Sequence, residues 1–134
     1  MPTVPADIGQ AIAARLTGYS GLAALISTRV FPGFLPQGTV KPAIYFEQSG
    51  FAAVSAMGTD SGIEETEWNV CIIADSYASM KAVEAQAKAA VQRWETTSGF
   101  KVLDTFITDI FDGYVDETME HLSTISIKIQ HQTA

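Results

Sequence analysis

Cys71, His121 and His131 are the three side chains best suited to nucleophilic or proton-transfer chemistry, and their spacing works against it. Nucleophilic catalysis needs a nucleophile, a base and an orienting group held together. Cys71 sits inside an apolar run with no glycine-rich turn beside it, where a cysteine reads as a small packing residue. His121 falls at a turn edge and His131 in the terminal stretch, so both read as solvated. Two histidines ten apart and one distant cysteine match no metal-ligand spacing.

The carboxylates are the other candidates. Asp109, Asp112, Asp116, Glu117 and Glu120 crowd around Gly113. A calcium loop of the EF-hand type wants oxygens at alternate positions before its glycine and a glutamate six positions after it. Here the sixth residue after Gly113 is Met119, and Asp109 and Asp112 are three apart. No pair of acids stands out as a glycosidase pair, and glycine-rich phosphate loops are absent. The residues assign no catalytic position, no metal and no cofactor, and the chain is expected not to be an enzyme.

The elements that would carry these residues can be read from periodicity. Asp7 is placed as an N-cap, and Ile8, Ile12 and Leu16 form the apolar stripe of a short helix ended by Gly18. A second helical piece over 20–27 carries Leu22, Leu25 and Ile26, making a helical hairpin. Arg29-Val30-Phe31 is a short strand stopped by Pro32-Gly33, and Ala43 to Gln48 is a second. Residues 50–62 read as an irregular loop holding the apolar residues Phe51, Val54 and Met57.

Glu64 to Ala74 alternates as a strand, with Trp68, Val70, Ile72 and Ala74 on its buried face. A long helix is predicted from Ser76 to about Thr97. Tyr77, Met80, Val83, Ala87, Ala90, Val91 and Trp94 form its buried stripe, and Glu84 and Lys88 pair on its wet side. Phe106 to Tyr114 and Leu122 to Gln130 make a terminal hairpin, with Ile125, Ile127 and Ile129 inward. The order α-α-β-β-β-α-β-β predicts an α+β fold. Its sheet is antiparallel or mixed, of about four to five strands, with the long helix and the helical hairpin packed on one face.

Bulk properties bound the rest. The chain has 134 residues, 47% of them hydrophobic and 17% charged, with a mean hydropathy of +0.15. That is one domain, 1–134, with a full core and apolar surface to spare. The net charge is −7. Residues 1–58 carry three basic and two acidic residues, and 59–134 carry five and thirteen. An acidic chain of this kind does not grip phosphates. No apolar run is long enough to span a bilayer, and the start of the chain does not read as a secretory signal. The protein is therefore expected to work where it is made, or as part of a larger particle.

Three stretches resemble the small tail-completion proteins of long-tailed bacteriophages, prophages and gene transfer agents, the DUF3168 family. The first is the helical opening Ala11-Ile12-Ala13-Ala14-Arg15-Leu16 through Leu22-Ala23-Ala24-Leu25-Ile26, followed by Arg29-Val30-Phe31 and Leu35-Pro36-Gln37-Gly38. The second is Lys41-Pro42-Ala43-Ile44-Tyr45-Phe46. The third is Trp68-Asn69-Val70-Cys71-Ile72-Ile73-Ala74-Asp75-Ser76-Tyr77, leading into the alanine-rich helix. The terminal strand departs from the family, whose members often end in an aromatic-rich strand.

The resemblance implies a structural tail terminator. It would form a ring, commonly of six copies, at the head-proximal end of a tail, where it stops tube growth and joins the head. The implied partners are other copies of the chain, the tail tube protein and a head-completion or connector protein. DNA would pass through the channel without specific binding, no membrane is involved, and assembly takes place in the host cytoplasm. Candidate contact residues are Phe31, Phe34 and Leu35, the docking arm with Phe51, Val54 and Met57, and the acidic stretch with Asp109, Asp112, Asp116 and Glu120. Two other readings stay open from the residues: a small soluble enzyme or ligand-binding domain, and another neck or tail-ring component. A deep pocket joining acids to His121 would favour the enzyme.

Overall fold

A computed structural model describes residues 7–56, 59–96 and 100–132. It contains α1 (Ile8–Gly18), α2 (Ser20–Ile26), β1 (Val30–Pro32), β2 (Ala43–Ala56), β3 (Thr59–Ala74), α3 (Tyr77–Val91), β4 (Val102–Val115) and β5 (Glu120–Gln132). The element order is the predicted one. The strands form one mixed sheet in the order β1-β2-β3-β5-β4, with β1 parallel to β2 and every other pairing antiparallel.

Local chemistry accounts for most boundaries. The Asp7 carboxylate accepts the Gln10 amide at 2.8 Å and caps α1, and the Ser76 hydroxyl caps α3 through the Ser79 amide at 3.1 Å. Each satisfies a donor that the first helical turn leaves open. The helix α3 is shorter than its apolar stripe predicts. Gln92 turns extended and Arg93 is left-handed at φ 59°, so the Arg93 amide donates to the Thr105 carbonyl at 2.8 Å. Trp94 is buried from outside the helix, while Tyr77, at the other end of the stripe, is 54% exposed.

The core lies between the helices and one sheet face. Leu16, Leu22, Ile26, Met80 and Val83 meet Ile44, Val70, Ile72, Ile125, Ile127 and Ile129, all buried. Alternation along β3 and β5 sends Trp68, Val70, Ile72 and Ala74, and Ile125, Ile127 and Ile129, inward as expected. The alternate residues, among them Glu65, Glu67, Asn69, Thr124, Ser126 and Lys128, lie on a face that no described helix covers.

Three sequence expectations are corrected. Residues 50–56 and 59–62 are not an irregular loop: β2 and β3 run on through them and pair at Gly50↔Glu67, Phe51↔Thr66 and Val54↔Ile63, while 57–58 lie outside the described residues. The Gly, Ala and Ser of this stretch are poor strand formers, and the ladder to β3, itself backed by β5 up to Ile63↔Gln132, overrides that propensity. Glu84 is not on a wet face. It is 7% exposed, accepts the Ser123 hydroxyl at 2.5 Å and faces the Lys81 ammonium at 3.3 Å.

His131 is not solvated either: it is 1% exposed. Its Nδ1 lies 2.6 Å from the Gln132 carbonyl, which can only accept, so that nitrogen carries the proton. In the neutral ring the Thr66 hydroxyl then donates to Nε2 at 3.0 Å, and Thr66 accepts the Trp68 indole N–H at 2.8 Å. Cys71 is buried, as its sequence setting suggests. Burial pushes its thiol above the ordinary range, and burial with the Cys71 contact raises Tyr45 to about 12. Neither group is an activated nucleophile.

Candidate interaction surfaces

The acidic stretch does not act as one cluster. The outer strand β4 and the turn at 116–119 spread it along one edge and one end of the sheet. Asp112 binds the Lys81 ammonium at 2.6 Å, and Glu120 pairs with Lys41. The Lys81 ammonium holds the Asp112 carboxyl below the usual carboxylate range, against the opposing effect of desolvation. Lys41, and then Thr118, does the same for Glu120. These two acids fasten the end of the β4–β5 hairpin to α3 and to the start of β2. Asp109 and Asp116 are exposed, and the Asp109 carboxylate turns back to accept the Ile110 amide at 2.9 Å.

His121 does not meet convergent acids. Its ring lies 4.8 Å from Tyr114 and 6.1 Å from Tyr77, beside a shallow groove of about 330 Å³ lined by Tyr77, Met80, Asp112, Gly113, Tyr114 and His121. Asp112 is the one carboxylate there, and Lys81 already holds it. The pocket that would favour an enzyme is not formed at this histidine. No group of three or more His, Cys, Asp and Glu side chains among the described residues is arranged to hold a metal ion.

The apolar candidates divide. Phe34 is 68% exposed and Phe51 61%, whereas Phe31 and Leu35 are half-buried, Phe31 on β1 opposite Tyr45. Val54 is placed by its pairing with Ile63 alone, and Met57 lies outside the described residues. Phe111, Tyr114, Met119 and Val40 are also well exposed. Sequence reading missed Phe111 and Tyr114 because strand alternation alone does not tell a covered sheet face from an open one.

It also missed an apolar concavity. A groove of about 460 Å³ runs between the first turns of α1 and β2, just past the end of β1. Phe46 and Trp68, buried and 5.9 Å apart, form its floor, while Asp7, Gln10, Glu47 and Gln48 stand on its sides.

This fold and these surfaces can be set beside known proteins. The model of the family described as tail completion protein gp17 matches residues 10–130. The chain belongs to that family. It is thus a tail completion protein, a structural component of a phage-type tail, in agreement with the resemblance of its helical opening and its Trp68–Tyr77 stretch. Among solved structures it is similar to a chain from the virion of a native gene transfer agent particle. That match has a TM-score of 0.68 and 16% identity, over 91% of this chain and 92% of the other. A second solved chain matches with a TM-score of 0.62 and 14% identity, over 98% and 99%. At such identities these likenesses concern the fold. No curated protein matches the sequence.

Proposed function

We propose that this tail completion protein is a terminator: six copies close into a ring on the head-proximal end of the tail tube. The ring stops tube polymerisation and presents the surface to which the head connector binds. The observation that carries this reading is the family match over residues 10–130. The surfaces support it. The core is complete within one chain, yet large apolar side chains from β4, the β4–β5 turn and the 33–40 segment remain exposed, as expected of a subunit that buries more in assembly. A ring contact is heterologous, so each copy must offer two different patches.

In the ring, DNA passes along a wall that does not hold it. Net charge −7 favours passage over sticking. The freely exposed Asp109 and Asp116 are the acids offered to the channel, since Asp112 and Glu120 are used within the fold. The test is direct. Purified protein added to polymerising tube protein should yield tubes with a ring of density at one end and an arrested length. Tubes that keep growing at the same rate with the protein present would refute the terminator reading.

A further inference from the structure

We infer that the outer edge of β2 from Glu47 to Ala56 is a strand-addition site for an extended segment of another tail or head polypeptide. That segment is one with alternating apolar side chains and at least one Lys or Arg. The inference rests on the chain being a tail component and not on the ring.

The site is a slot where a strand is missing. The strand β1 covers β2 only at Ile44, Tyr45 and Phe46, with Gly33 adding one bond to the Phe46 carbonyl. Beyond that point β2 continues for ten residues with no strand on its outer side among the described residues, while β3 and β5 back it from within. An exposed edge of this length is a template for pairing, and proteins usually blunt one with charge, proline or a β-bulge. The sequence from Gln48 to Ala56 has neither charge nor proline. The register shifts at Gln48/Gly50 and Val54/Ser55 leave Gly50 to Val54 as the regular length of edge on offer. The Gly50 carbonyl is met by the exposed side chain of Gln48, at 3.1 Å, a contact that an incoming N–H can displace.

The flank of the slot fits side chains. A strand continuing the line of β1 would run past the groove floored by Phe46 and Trp68. Main-chain bonds then give affinity and the groove selects alternate apolar residues. Asp7 and Glu47 line this groove, and neither forms an ion pair among the described residues. They favour a cation on the incoming segment.

The same charges argue against a second copy. This chain's own outer strand β4 carries Asp109, which forms no ion pair among the described residues and would face Asp7 and Glu47 with like sign. The β2 edge itself has no cation to offer.

The test places a photo-cross-linking p-benzoylphenylalanine at Phe51, exposed on this edge, in assembled tails, and identifies the attached peptide by mass spectrometry. The expected product is one segment of a different polypeptide with alternating apolar residues and a Lys or Arg. Its yield should fall at least fivefold in the Glu47→Lys variant. Cross-links to another copy of this chain, to its own residues 1–6 or to nothing would overturn the inference, as would an unchanged yield with Glu47→Lys. The mass of the purified protein with and without Glu47→Lys reports ring formation separately, so loss of the strand site and loss of the ring are told apart.

Discussion

At the residue scale the polar side chains that look chemical in the sequence turn out to fasten the fold. Thr66 is the hub of the buried chain from Trp68 to His131. Thr66→Val keeps the shape but leaves the indole N–H and the His131 Nε2 without partners, which costs about 1–3 kcal/mol. Urea unfolding should show this as a lower midpoint with an unchanged slope. Asp112 and Glu120 give a pH dependence of known sign. Their folded carboxyls sit below the ordinary value, so their stabilisation is complete above about pH 4–5 and is lost as pH falls through the lowered values. A melting temperature followed from pH 6 to pH 3 should fall less steeply in Asp112→Asn than in the parent. An equal slope would mean the Lys81 contact has no energetic weight.

These roles were only partly legible beforehand. Cys71 reads correctly as packing because its neighbours on the strand are apolar. Glu84 misleads, since a glutamate four before a lysine looks like a solvated helix pair. What buries it is Ser123, which comes 39 residues later and carries no local signal. His131 misleads for a similar reason: nothing next to it announces Thr66 and Phe100.

At the scale of elements, periodicity was the strong signal and composition the weak one. The stripes Ile8–Ile12–Leu16 and Ile125–Ile127–Ile129 are buried as their spacing requires. Ile127→Ala should therefore cost about 2–5 kcal/mol, read by denaturant titration. The stretch at 50–62 lacks β-branched density and reads as loop, yet its pairing to β3 is set by a neighbour that is itself held by β5. The outer part of this hairpin, 55–62, pairs only with itself in the described residues. Its removal, closing the chain with a two-residue Asn-Gly turn, should shift the melting temperature by a few degrees at most. A collapse of the fold would show instead that the core depends on it.

At the scale of the whole molecule it is the surfaces that differ. One sheet face is packed under three helices, the other is open among the described residues, and the two sides of the sheet differ in length, charge and cover. Such asymmetry suits heterologous contacts with several neighbours better than a closed twofold pair. Charge reversal at Asp109 and Asp116 tests the proposed channel wall without touching the ion pairs: the double lysine variant should assemble and slow DNA release, as read by the rate of genome ejection. The family was legible in the sequence because helix, strand and turn order survive where individual residues change. Of the proposed docking edge only the Phe51 stretch was singled out beforehand, because edge exposure and groove shape belong to the folded sheet.

Electron micrographs of particles made without this protein test the central claim most directly. The account predicts tails that overrun their normal length and heads filled but unattached. Ordinary complete virions, with tails of normal length joined to heads, would contradict it.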